Sequence, residues 1–251
     1  MEFLLIGDDR RQRCLAEFLQ REHRVFAWGQ PCAPDAIVLP CPSFDAAGKL
    51  RAACPLPAVL KTAKPATTVF CCGGKKNLQG CALPVIDLLE DETVALRNAR
   101  LTAEATLSAV NEACGDSFYG KRCLIVGYGR IGAYLARLLA ALCADCTVVA
   151  RRPESRALAE GFGFRTASLD NIDLSFYDFV FNTVPAQGFS CAALAALPPA
   201  CTWVELASAP GGLPQGEFAF SVLPAGGLPG KYLPHAAAHV LYDAITRQIP
   251  K

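Results

Sequence analysis

The feature that most constrains the fold of this chain is a glycine-rich turn at Gly127–Gly132, which reads Gly-Tyr-Gly-Arg-Ile-Gly. An apolar segment, Cys123–Val126, comes directly before it, and an Ala- and Leu-rich segment with helical periodicity, Ile131–Leu142, follows. G-x-G-x-x-G between a strand and a helix is the fingerprint of a dinucleotide-binding βαβ unit, because glycine permits the tight turn and the close approach of a pyrophosphate. The residues that we predict to bind this pyrophosphate are Gly127, Gly129, Arg130, Ile131 and Gly132.

The end of the next predicted strand indicates which dinucleotide is bound. In NAD-binding proteins a carboxylate about 20 residues further on accepts hydrogen bonds from the ribose 2′-hydroxyl. Here Arg151 and Arg152 follow the predicted strand Cys146–Ala150. Guanidinium groups suit a 2′-phosphate, which a carboxylate would repel. The sequence therefore favours NADP; the alternative is that the arginines are solvated and that Glu154 takes the acidic role with NAD.

Polar or small residues also follow two later predicted strands, Phe179–Asn182 and Thr202–Leu206. The carboxyl ends of strands in an open parallel sheet line the ligand crevice, so we expect both segments to face the cofactor, with simple turns as the alternative. The residues concerned are Asn182, Thr183, Val184, Pro185, Ala207 and Ser208.

The first part of the chain alternates short apolar runs with helical patterns. Leu15, Phe18 and Leu19 recur at helical spacing within a predicted helix from about Arg10 to Arg21, and a longer helical pattern runs from about Glu92 to Ala113. Strands are predicted at Phe3–Ile6, Val25–Trp28, Ala36–Leu39 and Thr67–Cys72. Alternation of strands and helices predicts a parallel sheet.

We therefore predict an α/β fold of two Rossmann-like domains with parallel sheets, joined by long helices and with a cleft between them. An N-terminal α/β domain for substrate or partner spans residues 1–96 and is completed by a C-terminal helix over residues 233–251. The linker helix and the dinucleotide-binding domain span residues 97–232, with a late strand at Phe218–Val222.

Composition excludes several function classes. The formal net charge is +1, which leaves no electrostatic footprint for nucleic acid or an anionic membrane. The N-terminal sequence does not read as a signal peptide, and no apolar run approaches the roughly 18 residues that span a bilayer. We expect a cytoplasmic protein.

The 13 cysteines lie mostly in apolar segments, and Cys143-Ala-Asp-Cys146 has no matching second pair, so we predict no metal site.

Further segments, in their order along the chain, resemble one family. The turn Gly7–Gln12 is similar to that family's Gly-Gly-Asp-x-Arg-Gln, from which Asp8 departs, and Ala209, Ala236 and Ala238 are further departures. The other similar parts are Asn98, Thr102 and Glu104 of the long helix, then Asn182–Pro185, Leu206–Gly212, Gly227–Lys231 and Pro234. The family that these segments resemble is the dipicolinate synthase A-subunit family of endospore-forming bacteria.

The resemblance implies a pyridine-nucleotide-dependent oxidation of a dihydrodipicolinate-type intermediate to dipicolinate, on a branch of lysine biosynthesis that serves spore formation. It also implies a flavoprotein-like B-type partner. For such a dicarboxylate we predict Arg11, Arg100 and Lys231 as its cations, and Glu104 or His235 as the proton acceptor. The alternative for each is a solvated surface charge.

Two other functions stay open. A 2-hydroxy-acid-type dehydrogenase shares the two-domain layout and the glycine turn, although Thr202–Gly216 contains no arginine for its catalytic set. A non-catalytic NADP-binding protein would act only through its flavoprotein partner. The sequence is also compatible with a homo-oligomer.

Overall fold

The computed structural model describes residues 1–249, and these divide into two compact units. Unit 1 comprises Met1–Leu101 together with the chain from Pro229 onward, and unit 2 comprises Thr102–Leu228. The division falls within helix α3, Glu92–Cys114, so the predicted long helix contributes to both units. Within residues 1–249 no helix has the length and apolar character needed to cross a membrane.

Unit 1 is built on a five-stranded parallel sheet in the order β2-β1-β3-β4-β5. The strands are β1 Glu2–Leu5, β2 Arg24–Ala27, β3 Ala36–Val38, β4 Thr68–Cys71 and β5 Val85–Asp87. This order is one of the common doubly wound arrangements. The predicted strands are confirmed, whereas β5 was not predicted because its three residues are too few to show a pattern.

Both faces of this sheet are covered, as a parallel sheet requires. In β1, Phe3 and Leu5 pack in one core with helices α1 and α8, while Leu4 packs in a second core on the opposite face with helix α2. The helices are α1 Arg10–Leu19, α2 Leu56–Leu60 and α8 Pro234–Gln248. Of the helix predicted over residues 233–251, Pro250 and Lys251 lie outside the described residues.

Unit 2 is built on a six-stranded parallel sheet in the order β11-β10-β9-β6-β7-β8. Its strands are β6 Arg122–Val126, β7 Asp145–Val149, β8 Arg165–Ala167, β9 Phe179–Asn182, β10 Thr202–Glu205 and β11 Ser221–Pro224. Read from β6, this is the strand order of dinucleotide-binding domains, in which the chain reverses direction across the sheet between β6 and β9. The fold predicted from the sequence is confirmed for both sheets.

The helices of unit 2 confirm the predicted alternation. They are α4 Arg130–Ala141, α5 Pro153–Gly161 and the short α6 Cys191–Leu194; a further short helix, α7 Leu228–Tyr232, crosses the unit boundary. One predicted strand was wrong in its position: Phe218–Val222 is replaced by β11, which starts at Ser221. The reason is that Phe218 and Phe220 pack in the core beside Trp203 instead of pairing with β10.

The substitution Gly132→Ala tests the packing of α4 on β6. An added Cβ at Gly132 would overlap the backbone carbonyl of Gly127, which cannot move without disturbing the turn. We expect the free energy of unfolding to fall by about 1–3 kcal/mol, the usual range for overpacking, as measured by urea denaturation.

The matched control is Gly161→Ala at the end of α5, where an added Cβ meets nothing within 4 Å. Alanine there is expected to leave stability unchanged or to raise it by up to about 1 kcal/mol. Equal unfolding midpoints for the two variants would contradict the close packing.

Candidate dinucleotide-binding site

A pocket of about 330 Å³ opens in unit 2 beside the carboxyl ends of β6, β7 and β9. Its walls are residues 126–129, 149–152 and 183–188, together with Ser155 and Leu169. The pocket therefore lies where the strand order reverses, which is where open α/β sheets bind their ligands.

The glycine turn forms the floor of this pocket. Gly127 has a φ of +95°, and a Cβ there would lie 2.6 Å from both Thr183 Oγ1 and Val184 Cγ2. Gly129 is different: an added Cβ would meet nothing within 4 Å, so the space beside it is open. Gly129 also caps α4 and offers no side-chain acceptor to the first-turn N–H groups. The start of α4 thus has the open backbone that a bound pyrophosphate needs.

Arg151 and Arg152 form another wall, directly after β7, and both are exposed. The turn that carries them is held from below by Arg156, whose Nη1 donates to the carbonyls of Ala150 at 2.7 Å and Arg151 at 3.0 Å. Glu154 is exposed and does not line the pocket; among the described residues that do, none is acidic.

Asn182 is buried and its side chain is already engaged. Its Nδ2 donates to Glu205 Oε1 at 2.6 Å and to the carbonyl of Val184 at 2.9 Å. Glu205 Oε2 in turn accepts from Trp203 Nε1 and from the amide of Gly212, each at 3.0 Å. The pair therefore ties together the loops that follow β9 and β10.

The remaining predicted cofactor residues divide into two groups. Thr183, Val184 and Pro185 line the pocket, and Thr183 Oγ1 donates to the carbonyl of Val126 at 2.9 Å. The residues Arg130, Ile131, Ala207 and Ser208 are close in sequence to the pocket but do not line it. Direct cofactor contact by these four, and by Asn182, stays a prediction.

Two of the predicted substrate-binding segments meet in unit 1. Arg11 is only 5% exposed, and its two Nη atoms donate to Cys41, at 3.0 Å to Sγ and at 2.6 Å to the carbonyl. An added Cβ at Gly230 would lie 2.6 Å from Arg11 Nη2. The neighbouring Arg10 donates to the carbonyl of Lys231 at 3.4 Å. The turn Gly7–Gln12 and the segment at Gly230–Lys231 are thus brought together by the fold.

The other predicted substrate residues are exposed. Arg100 and Glu104 lie on α3, on either side of the unit boundary. His235 lies on α8, with its ring 4.9 Å from that of Phe18. Within residues 1–249 no group of three or more metal-ligating side chains occurs.

Several residues of the site were not predicted from the sequence. Ser155 in the wall and Arg156 behind it lie at the start of α5, where a helix predicted to follow two arginines could have indicated them. Leu169 and Gly188 gave no local signal, because they meet only in the folded chain, where an added Cβ at Gly188 would lie 3.1 Å from Leu169 Cδ2.

Comparison with known proteins agrees with this geometry. Residues 93–191 match the family "D-isomer specific 2-hydroxyacid dehydrogenase, NAD binding domain". The dipicolinate synthase A-subunit of Bacillus subtilis (strain 168) is 27% identical over 171 residues, which are 65% of this chain and 57% of that protein. The crystal structure of the dipicolinate synthase A-subunit from Bacillus halodurans superimposes with a TM-score of 0.85 at 23% identity, over 100% of this chain and 98% of that one.

The chain is similar in sequence and in fold to the dipicolinate synthase A-subunit. The crystal structure of this protein from Bacillus subtilis has the same fold, with a TM-score of 0.81 at 21% identity over 99% of this chain and 95% of that one. The resemblance seen in the sequence is therefore confirmed, although the sequence match spans little more than half the length of the curated relative. The glycine turn, Arg151, Arg152 and the loop at 183–188 all fall within the segment that matches a nicotinamide-cofactor-binding domain.

The substitution Asn182→Ala tests the pair that joins the two loops. It removes the donor from Glu205 Oε1 and leaves a poorly solvated carboxylate oxygen with one partner fewer. We expect the free energy of unfolding to fall by about 1–3 kcal/mol in urea denaturation. The exposed Asn171 offers a matched control, and Asn171→Ala is expected to change stability by less than about 0.5 kcal/mol. Equal losses in both variants would contradict a structural role for the pair.

Proposed function

We propose that this chain is an NADP-dependent oxidoreductase that oxidises a dihydrodipicolinate-type dicarboxylate to dipicolinate. The observation that carries the cofactor assignment is the pair of exposed arginines in the wall of the unit 2 pocket, with no acidic residue among the described residues of that wall. The reaction is supported by the relationship to the dipicolinate synthase A-subunit.

The choice of NADP over NAD follows from charge. Arg151 and Arg152 stand where NAD-binding proteins carry the carboxylate that accepts the ribose hydroxyl. Hydrogen bonds to a charged group contribute about 1.5–3 kcal/mol each, so two guanidinium groups favour a 2′-phosphate strongly. Ser155 lies in the same wall in the first turn of α5, where the positive end of the helix dipole adds to the attraction for an anion.

In the proposed reaction the protein's own side chains form no covalent bond to the substrate; they bind it and take up a proton. When bound, the oxidised nicotinamide supplies a hydride acceptor. The chain must hold the two carboxylates of the substrate, for which we propose Arg11, Arg100 and Lys231, and must take up one proton, for which we propose Glu104 or His235. Aromatisation of the ring then favours the forward direction. The close approach of Gly230 to the Arg11 guanidinium is the structural support for placing one carboxylate in unit 1.

The relative's name describes one component of a larger enzyme, which supports an assembly. We propose a B-type flavoprotein as partner, cytoplasmic location and a role in spore formation, each on the strength of that relationship alone.

A second candidate is a 2-hydroxy-acid dehydrogenase, which is favoured by the family match over residues 93–191. That match covers the nucleotide-binding part of the chain, and the stretch Thr202–Gly216 has no arginine to bind and polarise a 2-oxo acid. We therefore rank it below the dipicolinate reaction.

Titration with NADPH and NADH tests the cofactor assignment. The double variant Arg151→Ala/Arg152→Ala is expected to bind NADPH about 100-fold more weakly, since each lost contact costs at least about 1.4 kcal/mol, and to bind NADH within about twofold of the parent chain. Arg137→Ala is the matched control, because Arg137 lies on α4, stacks on Phe162 and does not line the pocket. A parent chain that binds both nucleotides equally, or an equal loss for both in the double variant, would contradict the arginine argument.

An activity assay tests the reaction. Dihydrodipicolinate and NADP⁺ are supplied to the chain by itself and to the chain with a B-type flavoprotein, and dipicolinate is measured by mass spectrometry. The variant Gly129→Asp places a carboxylate beside the pyrophosphate position. The proposal is supported if dipicolinate forms only when this chain is present and does not form with this variant. Dipicolinate formed equally without the chain would indicate a non-catalytic role, and NADPH-dependent reduction of 2-oxo acids instead would indicate the second candidate.

A further inference from the structure

An unusual feature of unit 1 is that Arg11 is buried without a carboxylate partner among residues 1–249. Its side chain is 5% exposed, and within the described residues its guanidinium bonds only to Cys41. Its Nε is buried and has no hydrogen-bond partner in that part of the chain. A buried cation is costly unless a negative group compensates it. The groups around Arg11 therefore favour an anion in contact with its Nη atoms.

The sulfur of Cys41 occupies that position. Arg11 Nη1 donates to Cys41 Sγ at 3.0 Å, and Nη2 fixes the same residue through its carbonyl at 2.6 Å. Cys41 is half-buried, so part of the residue is open to solvent, whereas Cys72 beside it is fully buried. The two thiols lie close enough to interact, and this interaction shifts their pKa values in opposite directions.

The charged groups that face this pair oppose one another. The hydrogen bond from Cys72 and the Arg11 guanidinium lower the pKa of the Cys41 thiol, whereas burial and the carboxylates of Asp9 and Asp87 raise it; the net direction is downward. For Cys72 the bond to Cys41, together with burial, holds the pKa well above its usual range. Because Arg11 Nη1 donates to the sulfur of Cys41, a negative charge on the pair is better stabilised on Cys41 than on Cys72.

We propose that Cys41 is a reactive thiolate, and that Cys41 and Cys72 form a thiol modification site that hydroperoxides oxidise to a disulfide. The site shares Arg11 with the proposed substrate cations, but it uses none of the residues proposed to bind the dinucleotide and needs no nucleotide. Low-pKa thiolates with partial exposure and a neighbouring thiol are the cysteines that react in this way.

The chemistry balances with hydrogen peroxide or an organic hydroperoxide as oxidant. The Cys41 thiolate attacks the terminal peroxide oxygen, an S–O bond forms as the O–O bond breaks, and hydroxide or alkoxide leaves. Cys72 then loses its proton to that base, which becomes water or an alcohol, and the Cys72 thiolate attacks the Cys41 sulfenic acid, so that an S–S bond forms, the S–O bond breaks and hydroxide leaves to the solvent.

The backbone brings the two cysteines within reach of each other. They follow the adjacent parallel strands β3 and β4, and the pairing continues past the strand ends, since the amide of Leu39 donates to Phe70 at 2.9 Å and that of Ser43 to Cys72 at 3.0 Å. Neighbouring strands lie about 4.8 Å apart, which is within the Cα separation of about 4.4–6.8 Å that disulfides span.

Alkylation measures the reactivity of the thiolate. The reduced full-length chain is pulsed with iodoacetamide near neutral pH and every cysteine is quantified by mass spectrometry, with the exposed Cys191 as internal reference. Cys41 is expected to react about tenfold faster than Cys191 at about pH 6.5, and its rate is expected to change less between about pH 6.5 and 8.5. Arg11→Met is expected to remove that advantage and Arg11→Lys to retain part of it.

Should the Arg11 variants fail to fold, the pH profile of the parent chain decides. A Cys41 that reacts more slowly than Cys191 at every pH, or whose rate rises as steeply with pH as that of Cys191, overturns the proposal.

Oxidation tests the pairing. One equivalent of hydrogen peroxide is expected to give a chain two hydrogens lighter, with Cys41 and Cys72 linked in the peptide map. In Cys72→Ser the sulfenic acid of Cys41 is expected to persist and to be trapped by dimedone. Cys71→Ser is the matched control, since Cys71 is equally buried but packs on the opposite face of the sheet and leaves the disulfide able to form.

Oxidation of exposed cysteines while Cys41 stays reduced contradicts the proposal. Neither result depends on NADP binding, so failure here is distinguishable from failure of the proposed function.

Discussion

The close contact between Gly132 and the carbonyl of Gly127 determines where every other part of the pocket lies. Because neither residue has a side chain, β6 can turn directly into α4 and the helix can pack against the strand it has just left. The first turn of α4 consequently opens beside the carboxyl ends of the strands. Thr183 donates to the carbonyl of Val126 just before this turn. This hydrogen bond fixes the position of the loop after β9, which forms a wall of the pocket, relative to the glycine turn.

The walls of the pocket are fixed by polar groups that lie behind them. Glu205 accepts hydrogen bonds from Asn182, Trp203 and Gly212, and so one carboxylate holds two loops that are far apart in sequence. Arg156 does the same for the turn that carries Arg151. The side chains in the pocket wall are thereby left available for a ligand. Binding sites that need accurate positioning commonly have one set of residues that contacts the ligand and a second set that holds the first in place.

The fold could be predicted from the sequence because strand and helix periodicities are local, and the glycine turn could be predicted because its spacing is local too. The side-chain contacts of Asn182 could not be predicted in this way. Its position at the end of a strand indicated the pocket, but the direction of its side chain depends on Glu205, which lies 23 residues further along the chain. Arg11 is similar: the sequence shows a cation in a recognisable turn, whereas its burial and its contact with Cys41 arise only when two separate segments meet. Short elements such as β5 and β8 leave too few residues for any pattern.

The packing of α8 on α1 has a consequence for biosynthesis. Unit 2 is one continuous stretch, whereas unit 1 needs the segment after Pro229 to cover Leu15, Phe18 and Leu19 with Leu241, Ala244 and Ile245. The ribosome makes this segment after the whole of unit 2, so the nascent N-terminal sheet stays incompletely covered while the nucleotide-binding part is already whole. Completion of unit 1 therefore waits until unit 2 has been synthesised, and during that interval the apolar face of α1 is the surface at which chaperones or aggregation would act.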